Sequence, residues 1–231
     1  MIARVRRQAA AVVRRFPMTR HVTLAIDDGP SDATEALLDH LERAGHRAVL
    51  FVLGSMVDQR RRDILMDAIR RGFALGNHSF SHPRFSEIEL SQARQEIGRT
   101  ETTIEDIYRG AGTRRPGKWF RFPYMDTGEQ QAAELRRLLR EFGFERPGAI
   151  ATWTRVEDPG RLDWPTTLCT RDWELPAESM IRATLKAARP GDVVEFHDKV
   201  ETVSRYGRAL SEELSKPGIH VRVPATRESR Q

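Results

Sequence analysis

Short apolar runs alternate with longer amphipathic stretches from His21 to Val223, and nothing that reads as a linker interrupts them. The runs predict strands over His21–Ile26, Arg47–Leu53, Phe73–Gly76, Trp119–Phe122, Ala149–Thr152, Thr167–Cys169, Val193–Phe196 and His220–Val223. The first helix is predicted from an N-cap at Ser31/Asp32 to Gly45, and the second over Arg61–Arg71, closed by Gly72. A capping box at Ser86-Glu87-Ile88-Glu89 opens a long helix to about Tyr108, and Thr127 with Gln130 opens another that runs to Phe142. Helices over Ala177–Ala188 and Ser204–Leu214 complete the set. Strand-helix alternation of this kind demands an α/β fold with a parallel sheet, either open or closed into a barrel.

Reactive side chains gather at strand ends. Asp27-Asp28 ends the first strand, His78 follows the third, Arg121 ends the fourth and His197 ends the penultimate one. The C-terminal ends of barrel strands share one rim, whereas an open sheet spreads them in a line. Convergence of so many reactive groups favours a barrel.

The chain of 231 residues suits one large domain, and a charged content of 31% with 39% hydrophobic residues is compatible with a soluble core. The net charge of +5 does not describe the body. Six of the 38 basic residues lie in residues 1–20, which carry no acid, leaving 32 basic against 33 acidic residues elsewhere. A nucleic-acid partner is therefore not expected. Residues 1–19 read as a basic amphipathic arm: Ile2, Val5, Ala9, Val12, Val13 and Phe16 share a helical face, and Pro17 ends it. Two readings fit this arm: a weak peripheral membrane contact through residues 2–16, or else a helix packed on the body or a disordered tail, and its modest hydrophobicity favours the second. A single cysteine, Cys169, excludes an intrachain disulfide. No apolar run approaches the roughly 20 residues of a membrane span. The longest apolar run near the N-terminus, Ala9 to Val13, is too short for a signal-peptide core. Cytoplasmic residence, with the arm at the inner membrane surface as its variant, is the expectation.

His78 and His82 stand four apart, a spacing that on a helical turn sets both imidazoles on one face around a single ion. A carboxylate can supply a third ligand and leave positions open for water and substrate. The paired Asp27-Asp28 before Gly29-Pro30 offers that ligand and one free base.

These stretches resemble the polysaccharide deacetylase family, also called the NodB-homology domain or carbohydrate esterase family four. The first family motif corresponds to Ala25-Ile26-Asp27-Asp28-Gly29-Pro30 and the second to His78-Ser79-Phe80-Ser81-His82. The third is Arg121-Phe122-Pro123-Tyr124, the fourth is best matched by Asp172-Trp173, and the fifth by Glu195-Phe196-His197. The order is the family's, and the resemblance runs from about residue 20 to 200. It implies an irregular, incomplete (β/α) barrel of seven or eight strands over residues 20–231. It further implies Asp28, His78 and His82 as ligands of one divalent metal, Zn2+ in most of the family. By the same resemblance Asp27 is the general base, held by Arg121, and the backbone N–H of Tyr124 meets the oxyanion. Asp172 would orient His197, the general acid, and Trp173 would wall the acyl pocket.

Several positions depart from the family pattern. Ala25 and Ile26 stand where threonine and an aromatic are usual, and Cys169 where an aspartate is common. A second Asp-Trp pair, Asp163-Trp164, competes for the fourth motif and reads as a surface acid beside a loop-anchoring aromatic. Glu195 replaces a leucine of the acyl pocket. Strand side chains alternate, so Glu195 and His197 face the same way. Glu195 then either alters acyl preference and the behaviour of His197, or pairs with an arginine and fills space. His21, His40, His46 and His220 read as structural or solvated. Arg109, Arg114, Arg115 and Lys118 form a basic loop, able to meet an anionic substrate or simply solvated.

The resemblance implies a metal-dependent hydrolase removing acetyl groups from N-acetylated sugars: a chitooligosaccharide, a peptidoglycan fragment or a lipid-linked sugar. Two alternatives stay open. One is hydrolysis of another C–N bond, such as a formamide or cyclic amide, or of an acetyl ester. The other is a non-catalytic carbohydrate-binding protein.

Overall fold

The structure, a computed structural model, describes residues 20–145, 163–164, 168–169, 177–216 and 218–224. Its centre is β1 (Arg20–Gly29), whose residues from Val22 to Ile26 are all buried. A strand with no polar face must be covered on both sides, as the inner strands of a parallel sheet are. β1 pairs in parallel with β2 (Val49–Val52) through Ile26↔Leu50, and with β5 (Val193–His197) through Ala25↔Glu195 and Asp27↔His197. β2 carries β3 (Ala74–Asn77) and β5 carries β4 (Leu168–Cys169). β6 (Ile219–Val221) lies along the first residues of β1. The order β3-β2-β1-β5-β4 is that of a parallel sheet.

Beyond β3 the sheet continues only as backbone contacts. Phe120 forms a single parallel bridge with Asn77, and Trp164 N–H donates to Phe120 O at 2.8 Å. The strand predicted over Trp119–Phe122 is thus reduced to one bridge. Among the described residues, six strands and this bridge make an incomplete, barrel-like sheet, and no strand joins Trp164 back to β4. The predicted strand over Ala149–Thr152 and the arm at residues 1–19 lie outside the described residues.

The helices α1 (Thr34–Arg43), α2 (Gln59–Arg70), α3 (Leu90–Ala111), α4 (Ala132–Glu141), α5 (Ala177–Ala187) and α6 (Val200–Leu214) match the predicted set. Several of their starts do not. α1 begins beyond the expected cap, and Ser31 Oγ instead accepts the N–H of Ala33. The box that opens α3 is Glu89 with Gln92, not Ser86 with Glu89. Thr127 does not cap α4, whose N-cap is Gln131 after a 3₁₀ turn over Glu129–Gln131.

Alternation along the strands sorts side chains into two layers. Leu24, Ile26, Leu75, Val194 and Phe196 face outward into the core shared with α1, α2 and α6. Ala25, Val49, Phe51, Ala74 and Val193 face inward, where Trp119 and Trp164 fill the space. Phe51 needs Gly76: a Cβ there would come within 2.4 Å of its ring. Gly76→Ala is therefore expected to destabilise the fold by about 1–3 kcal/mol through overpacking. Thermal melts check this, and Phe51→Leu in the same chain should return part of the loss.

A separate cluster of Phe85, Ile97, Phe120, Phe122, Leu135 and Leu139 pins the chain around Arg121 against α3 and α4. Asp27 and His197 lie near the ends of β1 and β5, His78 follows β3 and Arg121 follows the Phe120 bridge, so all four emerge at one rim.

Candidate metal centre

The rim opens on a cavity of about 950 Å³ lined by Asp27, Asp28, His78, His82, Arg121, Tyr124, Glu195 and His197 among others. Eight of the ten residues singled out from sequence thus meet at one place. The other two, Asp172 and Trp173, lie outside the described residues.

His78 and His82 do not sit on a helical turn. Residues 78–84 form a loop, in which Ser79 (φ 71°) and His82 (φ 64°) are left-handed. Asp28 (φ 68°) and Tyr124 (φ 56°) share that conformation. Side chains at positive φ persist only where the surroundings over-determine them. Here the means are visible. Asn77 Oδ1 accepts from Ser79 N–H at 2.9 Å, and Ser79 Oγ from His82 N–H at 3.2 Å. Glu96 on α3 accepts from the N–H groups of Phe80 (2.9 Å) and Ser81 (2.7 Å). Glu96 was not foreseen; its only sequence signal is an acid on α3 following the histidine loop.

His78 Nδ1 lies 2.8 Å from the Arg121 carbonyl oxygen. A carbonyl only accepts, so Nδ1 carries the hydrogen and Nε2 offers a lone pair. That Nε2 is 3.5 Å from Asp28 Oδ1, and His82 Nε2 is 3.1 Å from the same oxygen. Asp28 Oδ1 is buried and receives no hydrogen bond among the described residues. Lone pairs aimed at one point repel unless a positive charge sits between them. The three donor atoms lie within 4.8 Å of one another, and two imidazole nitrogens with one carboxylate oxygen beside an open cavity suit a divalent cation. Burial alone would raise the Asp28 carboxyl. Without a cation, N–H groups of His78 and His82 turned toward it, with the Lys199 ammonium 2.9 Å from Oδ2, reverse this and hold it well below the ordinary carboxylate range. Lys199, two residues after His197, was also missed.

Asp27 stands beside the centre, buried. Arg121 Nε donates to its Oδ2 at 2.5 Å, while its Oδ1 has no partner among the described residues. The Arg121 guanidinium also donates through Nη2 to Glu195 Oε2 and through Nη1 to the Trp164 carbonyl at 3.4 Å. Glu195 is thus paired with an arginine, yet its Oε1 is also 3.4 Å from His197 Nε2. Burial would lower Arg121, but Asp27 and Glu195, with Asp163 behind them, raise it. Asp163 (2% exposed) and Trp164 (0%) are therefore not a surface pair: they sit inside the sheet, behind the arginine. The basic loop after α3 lies elsewhere. Arg109 pairs with Asp106, Arg115 with Glu101, and Lys118 with Glu101 and Glu105.

Asp198 ties the two strand ends together. Its backbone N–H donates to Asp27 O at 2.8 Å, and its carboxyl accepts from Ser31 Oγ (2.7 Å) and Thr34 Oγ1 (2.6 Å). Burial raises this carboxyl above its ordinary value, and the charge of Asp28 adds to the rise. A raised folded value means that the folded state binds the proton more tightly than the unfolded state does. The associated stability is full below the unfolded value of about 3.9 and is lost as pH rises through the folded one. Metal-free protein is expected to show this loss in melts taken upward from pH 4, and Asp198→Asn to flatten it.

Residues 16–146, more than half of the chain, match the family model described as "Polysaccharide deacetylase". The chain belongs to the polysaccharide deacetylase family. It is 25% identical over 177 residues to a bifunctional xylanase/deacetylase of Pseudobutyrivibrio xylanivorans, covering 77% of this chain but only 25% of that protein. It is 26% identical over 205 residues to a peptidoglycan-N-acetylglucosamine deacetylase of Bacillus cereus, covering 85% of this chain and 83% of the relative. A chitooligosaccharide deacetylase of Bradyrhizobium sp. is 26% identical over 182 residues, covering 78% and 71%. The fold superposes on a family 4 carbohydrate esterase from Streptomyces lividans, solved with acetate, at a TM-score of 0.68 and 26% identity. That match covers 87% of this chain and 91% of the other. Members of this family are metal-dependent, and Asp28, His78 and His82 could hold such an ion.

Proposed function

We propose that the chain is a metal-dependent hydrolase that removes acetyl groups from N-acetylated amino sugars, with peptidoglycan fragments and chitooligosaccharides as the substrate class. The observation that carries this is the convergence of Asp28, His78 and His82 on one point, with Asp27 beside them and His197 across the same cavity. Zinc is the proposed ion, because two imidazoles and one carboxylate with an open position are its usual catalytic set.

A cation bound there supplies Lewis acidity, polarising the acetamide carbonyl and making water acidic near neutral pH. The remaining work falls to side chains. Asp27 Oδ1, the oxygen that Arg121 leaves free of hydrogen bonds, takes a proton from the attacking water. Tyr124, which lines the rim in a left-handed conformation, would offer its backbone N–H to the oxyanion. His197 gives a proton to the nitrogen as the C–N bond breaks, since an amine anion does not leave unaided. Water's oxygen goes to the acetate and the amino sugar is released.

Two features support an enzyme over a non-catalytic carbohydrate-binding protein: Asp27 and His197 are both retained, and the positive-φ residues cluster at the cavity, where a binding surface alone would not need them. The test is acetate release from N-acetylated chitooligosaccharides and peptidoglycan fragments. Release that stops with chelator and returns with zinc is expected. Sugar binding without any release would leave the binding-protein reading in its place.

A further inference from the structure

The residue that the family pattern does not explain is Glu195. It stands where the pattern has a leucine, and it is buried at 8% exposure among charged groups. A carboxylate in such a place is costly unless its oxygens are faced by polar partners. Both are. Oε2 receives Arg121 Nη2, and Oε1 faces His197 Nε2 at 3.4 Å. The same guanidinium holds Asp27 through Nε. A continuous line therefore runs Asp27–Arg121–Glu195–His197, from the proposed base to the proposed acid. The register enforces it: Ala25 lies opposite Glu195 and Asp27 opposite His197, so period-two alternation turns all three polar side chains to the inner face.

We propose that Glu195 is a positioning residue for His197, fixing the imidazole in the orientation that delivers a proton to the leaving nitrogen. This rests on the deacetylase reading above. The distance fits the role. At 3.4 Å the contact is longer than a formed N–H···O bond, so it orients the ring by charge without locking the proton in place. Arg121 keeps the carboxylate from swinging away. A leucine could do neither.

Leaving-group dependence separates positioning from bulk structure. An aryl acetate expels a phenolate, which needs no proton from His197, whereas an N-acetylated chitooligosaccharide expels an amine, which does. Both substrates would be hydrolysed by zinc-loaded wild type, His197→Ala, Glu195→Leu and Glu195→Gln, with zinc content and melting measured on each. His197→Ala sets the size of the acid contribution. Glu195→Leu is expected to retain one zinc and to lose about 10- to 100-fold in kcat on the amide. Its KM should change little, and its loss on the aryl acetate should stay within about threefold. Glu195→Gln keeps an oxygen for Arg121 and is expected to recover part of the amide activity, which covers the case of a Leu variant that folds poorly. Equal losses on both substrates, or no loss on the amide, overturn the proposal. Wild type that binds zinc but hydrolyses neither substrate overturns the deacetylase reading and this inference with it.

Discussion

Asp28→Asn is expected to remove metal binding and, with it, at least about a thousandfold of the deacetylase activity, a loss of the size expected when Lewis acidity and the activated water both go. The substitution keeps shape and volume, so the effect isolates charge. An amide presents a weaker oxygen donor and, turned the other way, an N–H that donates to the His78 or His82 lone pair and occupies the point a cation needs. Lys199 adds to the loss. Its ammonium sits 2.9 Å from Asp28 Oδ2 and is tolerated there only because the carboxylate is negative. Without that charge, a divalent cation would meet an uncompensated lysine beside two neutral imidazoles. Calorimetric zinc titration and acetate release should fall together. A variant that still takes up one zinc with wild-type affinity would remove Asp28 from the ligand set. The metal-free form gives an independent check. Asp28 is held below its ordinary range, so its contribution to stability is present above the unfolded value of about 3.9 and is lost as pH falls below it. The Asn variant should lack that acid-side loss.

Much of the rim was legible in sequence because strand ends carry it. Asp27, His78 and His197 each end or follow an apolar run, and such a run is readable without knowing what it packs against. The alternation that pairs Glu195 with His197 follows from strand geometry alone, and the inner face of β5 bears it out. What was not legible depends on long-range contacts. The histidine loop looks helical by spacing, yet Glu96 and Asn77 hold it in left-handed turns that no local pattern encodes. Asp163-Trp164 reads as a surface pair because its flanks are polar. Its burial follows from filling the inner face opposite Phe51 and Trp119, a demand made by residues more than forty positions away. Lys199 and Asp198 directly follow His197, but their partners Asp28, Ser31 and Thr34 are brought near only by the β1–β5 pairing.

Arg121→Met should be the most destabilising single change at the site. Arg121 is 1% exposed and is the guanidinium against which two buried carboxylates, Asp27 and Glu195, are set. Methionine fills most of the volume but leaves both acids without their cation. Breaking a buried pair from one side costs about 3–5 kcal/mol, because the remaining charge stays desolvated. For a domain of this size that is a fall in Tm of roughly 6–20 °C. Melts at neutral pH read this deficit. Arg121→Lys is expected to rescue little, since one ammonium cannot reproduce the planar fork that reaches Asp27 through Nε and Glu195 through Nη2. A double variant supplies the decisive comparison. Glu195→Leu removes one of the two stranded acids, so Arg121→Met with Glu195→Leu should be more stable than Arg121→Met alone, the reverse of additive damage. Arg121→Met melting within a degree or two of wild type at neutral pH, or strictly additive losses in the pair, would show that the guanidinium is not what holds the two carboxylates in place.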